Sequence, residues 1–275
     1  MSRIHRLSCG PLSALSCGGP DAPPVVLLHG VFDSADCWFP VMEELAHFGY
    51  RPIAIDLPGH GQSPRTGGAL SVQSMASAVH ETLLDLNLKS AVVVGHSMGG
   101  LVAHELALTL PASVISLILE DPAWSLHTDP YAAPPFLVER AHQLTAWSPE
   151  QILSEGRTKH PAWDERDISG WLTAKIEVDP DLLVGPQDWH GHTGPDKWTG
   201  YDGHVLLITA GAVSASHPVL NDAIVTASMV CDARASLGSR LRHVSIDNVG
   251  HNIRKDAVDD YLRAILPTLS EATTQ

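Results

Sequence analysis

The chain has 275 residues, of which 44% are apolar, and its formal net charge is −14. This length and apolar content are enough for one large domain, or for a domain that carries an insertion. The excess of acidic groups argues against nucleic acid as a partner, because binding to phosphates requires clustered lysines and arginines. It also disfavours an anionic membrane surface and a polyanionic substrate.

The cysteines and the N-terminal region indicate the cellular environment. The four cysteines have neither metal-ligand spacing nor the density of a disulfide framework, so we expect free thiols in a reducing compartment. Gly10 and Pro11 interrupt the apolar run near the start, so no signal-peptide core is predicted. No stretch approaches the length that is needed to span a bilayer. We therefore expect a soluble cytoplasmic protein with no membrane partner.

The first 122 residues alternate between strand-like and helix-like patterns. Two similar short segments within residues 4–17 predict a small hairpin. Apolar runs and three- and four-residue spacings then predict the strands and helices in order: strand 25–30, helix 36–48, strand 51–56, helix 71–87, strand 91–94, helix 101–108 and strand 114–119. This alternation predicts a doubly covered, mostly parallel sheet of the α/β class. Right-handed crossovers bring the C-terminal ends of such strands to one edge, where loops can form a site.

The pattern changes after Pro122. Residues 123–203 show no convincing buried strand, only helical pieces separated by prolines, with Ser148 and Asp164 as candidate helix caps. Six of the seven tryptophans lie in this segment. We interpret it as a helical cap between core segments 1–122 and 204–275; its tryptophans either line a pocket or hold a small domain together. The α/β pattern then returns, with elements predicted at strand 204–209, helix 218–234, strand 241–247 and helix 256–266.

The segment that carries the most chemistry is Gly95-His96-Ser97-Met98-Gly99. It follows a buried β-branched strand and precedes a helix, and in this context G-x-S-x-G predicts a nucleophile elbow. Small flanking residues let the strand and the helix pass close to each other, and a strained turn lifts the serine Oγ clear of the sheet. The alternative is a glycine-rich turn with no catalytic role.

Four motifs together resemble those of the α/β-hydrolase superfamily. They are His29-Gly30, the loop Asp56-Leu57-Pro58-Gly59-His60-Gly61-Gln62-Ser63, the elbow, and Gly250-His251-Asn252 near the end. The resemblance implies an α/β-hydrolase fold, with Ser97 as nucleophile and His251 as general base. It further implies an oxyanion hole formed by the backbone amides of Val31 and Met98.

The position of the triad acid departs from the commonest pattern of the family. The loop after strand 204–209 contains no carboxylate, whereas Glu120 and Asp121 follow the strand after the elbow. Both strand ends lie at the same sheet edge, so either loop can present a carboxylate to the histidine Nδ1. We predict Asp121 as the acid and keep Glu120 as the alternative. Asp222 and Asp247 are weaker candidates.

Three further expectations concern ligands. Phe32, and Trp124 beside the predicted acid, are expected to line the substrate pocket. The cluster Asp188-Trp189-His190-Gly191-His192 has metal-like spacing, but no second ligand set converges on it, and solvated histidines are the simpler interpretation. The glycine-rich turns lack the ending of a phosphate-binding loop, so neither a metal nor a nucleotide cofactor is predicted.

The leading hypothesis is therefore a serine hydrolase that cleaves a carboxylic ester or lactone of a small apolar molecule through an acyl-enzyme. The same triad also serves C–C bond hydrolases, thioesterases and cofactor-free haloperoxidases, and these remain open. A slow-turnover ligand receptor and a non-catalytic interaction protein are alternatives from other classes. The serine excludes the branches that need an aspartate nucleophile at the elbow.

Overall fold

The computed structural model describes residues 3–124, 132–185, 187–189, 191–214 and 222–273. Within these ranges the strands are β1 (His5–Cys9), β2 (Leu12–Ser16), β3 (Pro24–Leu28), β4 (Arg51–Ile55), β5 (Leu70–Ser71), β6 (Ala91–His96), β7 (Val114–Glu120), β8 (Gln187–Asp188), β9 (His204–Ala210) and β10 (Leu241–Ile246). The α-helices are α1 (Phe39–His47), α2 (Val72–Asp85), α3 (Met98–Thr109), α4 (Pro135–Ala146), α5 (Pro149–Lys159), α6 (Glu165–Glu177), α7 (Ala227–Leu237), α8 (Ile253–Asp256) and α9 (Val258–Thr273).

The central sheet has eight strands in the order β1-β2-β4-β3-β6-β7-β9-β10. The N-terminal hairpin β1–β2 joins the sheet antiparallel to β4, and all the remaining pairs are parallel. The predicted α/β class and its mostly parallel sheet are confirmed. Strands β6, β7 and β9 are neighbours, so the loops that follow them emerge side by side at one edge.

Both faces of the sheet are covered by apolar packing. Along β6 the buried side chains alternate, so that Val93 belongs to the core on one face while Val92 and Val94 belong to the core on the other. Helix α3 packs against β6 where the chain makes its sharp turn. A Cβ atom on Gly99 would collide with the backbone oxygens of Leu28 and His29, which is why only glycine fits there.

Three predicted elements differ from the observed ones. Helix α7 begins at Ala227, after Thr226 caps it by accepting a hydrogen bond from the Met229 amide at 3.4 Å, and residues 218–221 of the predicted helix lie outside the described ranges. The final helix begins at Val258 and continues through Pro267 to Thr273, because Thr268 and Leu269 keep its apolar face buried. In the segment predicted to lack strands, β8 forms a two-residue parallel pair with β5.

The segment between β7 and β9, residues 123–203, is called the helical insertion below. Its helices α5 and α6 are capped by the side chains of Ser148 and Asp164, as predicted. Its buried tryptophans belong to the same apolar cluster as one face of the sheet; they are Trp124, Trp163, Trp171, Trp189 and Trp198. The insertion is thus packed onto the core, and its assignment as a separate cap domain stays a prediction.

Two further expectations can be compared with the structure. Cys17, Cys37 and Cys231 are free thiols, and the side chain of Cys9 lies outside the description. Burial raises the pKa of Cys37 to about 11, with a smaller contribution from the Asp33 carboxylate, so this thiol is un-ionised at neutral pH. Among the described helices none is long and apolar enough to cross a bilayer.

Candidate active site

Ser97 lies on the turn between β6 and α3. Its backbone has φ +54° and ψ −117°, a conformation that non-glycine residues rarely adopt. The turn is held by hydrogen bonds on both sides: the Ser97 amide donates to the Glu120 carbonyl at 3.1 Å, and the Ala123 amide donates to the Ser97 carbonyl at 3.2 Å. The strain is therefore maintained by the neighbouring strand, as is common at catalytic turns.

Asp121 and His251 are paired at the same sheet edge. The Asp121 Oδ2 atom lies 2.6 Å from His251 Nδ1, although 130 positions separate the two residues in the chain. The carboxylate is fully buried, whereas the imidazole retains 17% exposure. A carboxylate at Nδ1 holds the histidine in the tautomer that leaves Nε2 free to accept a proton.

Backbone contacts hold the Asp121 carboxylate in place. The Asp121 amide donates to the Ile208 carbonyl at 3.0 Å, which joins the end of β7 to β9. Its side chain accepts hydrogen bonds from the amides of Ile224 and Val225, both at 2.9 Å. Asp121 also has a positive φ of 39°, so its backbone is strained in the same way as that of the serine.

Contacts around His251 fix its backbone and raise its basicity. Its amide donates to Asp222 Oδ1 at 2.7 Å, and its carbonyl oxygen lies 3.1 Å from His96 Nε2. Burial lowers the pKa of His251, but the hydrogen bond and charge of Asp121, with a smaller contribution from Asp222, raise it above the ordinary value of 6.5. Because His96 is buried and its pKa lies well below 6.5, it stays neutral and donates through Nε2.

Glu120, the alternative triad acid, is paired with Arg254 and not with His251. Its carboxylate accepts a hydrogen bond from the Arg254 amide at 2.9 Å and pairs with the Arg254 guanidinium at 3.1 Å. Both side chains are almost completely buried, and burial raises the pKa of Glu120 above its ordinary range. Of the weaker candidates, Asp247 accepts from the Ala212 amide at 2.9 Å.

The predicted oxyanion amides belong to Val31 and Met98. Within the described ranges neither amide donates a hydrogen bond to another protein group, which leaves both available to an oxygen of a substrate. The Val31 loop is held by a histidine, since the Phe32 amide donates to His60 Nε2 at 3.3 Å. Burial lowers the pKa of His60 to about 3, so the ring is neutral and can accept this bond. His60 thus has a structural role in positioning this loop.

A cavity of about 250 Å³ contains the catalytic candidates. Its lining residues are Gly30, Val31, Asp33, His96, Ser97, Phe136, Leu137, Trp171, Lys175, Asp222, Ile224, His251 and Asn252. We call it the catalytic cavity. Its volume lies just below the range of about 300–1,000 Å³ that is usual for ligand pockets, which favours a small substrate.

The two predicted pocket residues lie elsewhere. Phe32 lines a second cavity of about 320 Å³ beneath α4 and α6, although its carbonyl oxygen contacts Lys175 at the join between the two cavities. Trp124 is buried in the core, where its Nε1 donates to His104 Nδ1 at 3.1 Å and its ring packs edge-on against Trp198. The structure therefore does not bring Trp124 to the catalytic cavity.

The metal-like histidine cluster is partly described. Residue 190 lies outside the described ranges, and His192 is paired with the buried Glu105, whose carboxylate lies 2.7 Å from His192 Nδ1. The His192 ring is largely exposed, as expected of a solvated histidine, and its pairing with Glu105 is a contact that the sequence pattern does not indicate. In the described part of the chain no three metal-ligating side chains converge.

A cluster of buried charged side chains at the catalytic cavity is not predicted from the sequence patterns. Asp33 is buried and lies 3.0 Å from the Lys175 ammonium, 3.5 Å from Arg254 and 3.9 Å from Lys255. Burial alone raises the pKa of Asp33, but these three cations hold it well below its ordinary value. The available signal was position: Asp33 follows the His29-Gly30 motif, and the two C-terminal cations follow the His251 loop.

Sequence comparison places these motifs among known proteins. A family model described as the alpha/beta hydrolase fold matches residues 23–204. An esterase of Mycobacterium tuberculosis, Rv0045c, is 38% identical over 122 residues, which are 44% of this chain and 40% of that protein. RutD of Escherichia coli O17:K52:H18, provisionally named a carbamate hydrolase, is 38% identical over 179 residues, 64% of this chain and 53% of that protein. The chain thus spans about half or less of the length of these relatives.

Solved structures share the whole architecture. The crystal structure of the carboxylesterase CesB from Bacillus subtilis superposes with a TM-score of 0.75, covering 98% of this chain and 92% of that one. The two sequences are 19% identical. At that identity the similarity is one of fold alone.

Proposed function

The chain belongs to the family of the α/β-hydrolase fold, and from this we propose that it is a serine hydrolase that opens a small carboxylic ester or lactone through an acyl-enzyme. The observation that carries the proposal is the 2.6 Å contact between Asp121 and His251 Nδ1, at the cavity that Ser97 also lines. The esterase name of one relative agrees with this chemistry.

The acylation step follows from the roles of the three side chains. The Ser97 hydroxyl attacks the substrate carbonyl carbon while His251 Nε2 takes its proton, and the negative charge moves to the carbonyl oxygen. The Asp121 carboxylate stabilises the imidazolium that forms. The amides of Val31 and Met98 donate to the oxyanion, and each such donor is worth about 3 kcal/mol in the transition state.

The remaining steps return the enzyme to its starting state. The tetrahedral intermediate collapses, the bond to the leaving oxygen breaks, and the imidazolium protonates that alkoxide. Water then gives a proton to His251 and its oxygen to the acyl carbon. Collapse of the second intermediate returns the proton to Ser97 and releases the carboxylic acid.

The test is acid release in a pH-stat over short esters, long esters, thioesters and lactones, with the Ser97→Ala variant as blank. We expect sustained, serine-dependent acid release from short esters or lactones. If serine-dependent acid release is seen with thioesters alone, the substrate is a thioester and the proposed ester or lactone substrate is wrong. Release of one equivalent of product followed by silence would favour a slow-turnover receptor, and no release from folded protein would contradict a hydrolase acting on these bonds.

A further inference from the structure

Lys175 on helix α6 lies where the catalytic cavity meets the second cavity. Its side chain lines both, and only 8% of it is exposed. The lining of the catalytic cavity includes apolar side chains as well as polar ones, with Trp171 on the same helix and Leu137 and Phe136 on α4. A buried ammonium in a cavity wall is uncommon, because removal of a charge from water is costly unless the charge has partners.

The partners of Lys175 use two of its three N–H donors. The ammonium donates to the Phe32 carbonyl at 2.9 Å and to Asp33 Oδ1 at 3.0 Å. Its nitrogen also lies 4.9 Å from the centre of the Trp171 ring, over the electron-rich face. No described group accepts a hydrogen bond from the third N–H. Because Lys175 lines the catalytic cavity, this N–H is available to a ligand there.

The Asp33 carboxylate cannot fully offset the charge of Lys175, because it also faces the cations of Arg254 and Lys255. Arg254 has a second partner in Glu120, and the buried Asp167 lies near Lys255, with a pKa that burial raises to about 6. Lys175 is the one of these three cations that also lines the catalytic cavity.

The two sides of the catalytic cavity carry charges of opposite sign. On the histidine side, Asp222 accepts from the His251 amide, and its carboxylate repels an anion. On the side of the Val31 loop, the Lys175 ammonium attracts one. The Asp33 carboxylate also lines the cavity beside Lys175, but its charge is offset by three cations. This asymmetry favours a substrate orientation with a carboxylate at Lys175 and the ester carbonyl at Ser97.

We propose that Lys175 binds a carboxylate at the far end of the acyl chain, so that the preferred substrates are half-esters of small dicarboxylic acids or lactones that bear a carboxylate. This inference rests on the proposed function and names its substrate class. It replaces the expectation of a wholly apolar substrate. The cavity volume of about 250 Å³ equals the share of roughly eight waters in the liquid, which fits a short diacid chain.

The first experiment compares matched esters that differ in one charge. Mono-4-nitrophenyl glutarate and 4-nitrophenyl valerate have acyl chains of equal carbon number, and the succinate and adipate half-esters vary the spacing. We expect the native enzyme to prefer one half-ester over its neutral match by about tenfold to a hundredfold in kcat/KM, mainly through KM, the range for a hydrogen bond to a charged group. Absence of any preference overturns the inference.

Two substitutions separate binding from a merely structural anchor. Lys175→Met should reduce the preference ratio at least tenfold, whereas Lys175→Arg, which keeps the charge, should retain most of it. Equal losses on the charged and neutral esters would show that Lys175 only fixes the Phe32 loop, and would overturn the inference. Because the ratio compares two substrates on one variant, partial loss of folded protein does not affect it.

Binding without turnover distinguishes this inference from the proposed function. In the Ser97→Ala variant, glutaramate, the monoamide of glutaric acid, titrated against the tryptophan fluorescence should bind at least tenfold more tightly than valeramide, and Lys175→Met in that background should remove the difference. If no ester is hydrolysed but glutaramate binds through Lys175, the binding inference stands and the hydrolase proposal fails. If esters are hydrolysed and glutaramate does not bind, the reverse holds.

Discussion

Asp121 Oδ2 and His251 Nδ1 are 2.6 Å apart, and the carboxylate is held by two backbone amides that belong to neither residue. The proposed acid directly follows the end of β7, which pairs with β6, the strand that ends at His96 just before Ser97. Its position is therefore determined by pairing within the sheet, and the amides of Ile224 and Val225 fix its rotation. A carboxylate oriented in this way keeps the proton on Nδ1 of the imidazole and holds the ring in place.

Asp121→Asn should lower kcat by about 10³- to 10⁴-fold, because the amide favours the wrong histidine tautomer. It should cost about 1–3 kcal/mol in the free energy of unfolding, because its NH₂ group cannot accept from one of the two backbone amides. The matched control is Glu120→Gln one residue earlier. It leaves the buried Arg254 without a full counter-charge and should cost about 3–5 kcal/mol in the free energy of unfolding. Steady-state kinetics and urea unfolding of both variants test this contrast. A larger kcat loss in folded Glu120→Gln than in Asp121→Asn would make Glu120 the acid.

Ser97→Ala should reduce turnover by about four to six orders of magnitude, because the nucleophile is lost. Ser97→Gly removes the same hydroxyl and also relieves the positive φ of 54°, so it should be more stable than Ser97→Ala by about 1 kcal/mol. Thermal unfolding of the two inactive variants measures the difference. Equal stabilities would mean that the turn carries no backbone strain.

The pH dependence of kcat/KM on a neutral ester should reflect His251. The imidazole must be neutral to accept the serine proton, and its pKa is raised above 6.5, so activity should fall as the pH drops through a midpoint above 6.5. Asp222→Asn keeps a hydrogen-bond acceptor for the His251 amide but removes a charge, and should shift the midpoint downwards. Asp247→Asn is the control and should leave it in place. A midpoint that is the same in all three proteins contradicts the role given to Asp222.

Gly170 on α6 packs directly against the backbone of Asp36, which follows the Val31 loop in the chain. A Cβ atom there would lie 2.8 Å from the Asp36 carbonyl oxygen, so the helix must move. Gly170→Ala should therefore destabilise the fold by about 1–3 kcal/mol and raise KM for the half-esters, since α6 also carries Lys175. Ser169→Ala, at the exposed neighbouring position, should do neither. Thermal unfolding and kinetics of the pair provide the measurement, and wild-type behaviour of Gly170→Ala would show that this contact can relax freely.

Local patterns in the sequence were sufficient to predict the sheet and the elbow. The apolar run before Gly95 and the glycines around Ser97 imply a strand, a sharp turn and a helix, and the structure has all three. The choice between Glu120 and Asp121 depended on which side of the strand end faces the histidine. Neighbouring residues point to opposite sides of a strand, so an error of one residue in the register would have exchanged them.

Long-range ion pairs could not be derived in this way. Lys175, Asp33 and Arg254 lie far apart in the sequence. Asp33 and Arg254 at least follow recognisable motifs, but nothing in the local pattern distinguishes Lys175 from a surface charge. The same holds for Trp124, which was expected at the pocket because Asp121 is close in sequence. It turns into the core instead, where its indole nitrogen has a partner in His104. Burial of a side chain depends on tertiary packing, and sequence proximity is a weak guide to it.

Ser97 and Asp121 both precede the helical insertion in the chain, on the paired strands β6 and β7, and their spacing is set by hydrogen bonds within that pair. Helix α6, with Lys175 and Trp171, belongs to the insertion itself. The gene segment for the proposed carboxylate-binding helix is therefore separate from the segment for the proposed nucleophile and acid. On these two proposals, changes confined to the insertion can alter substrate preference without altering Ser97 or Asp121.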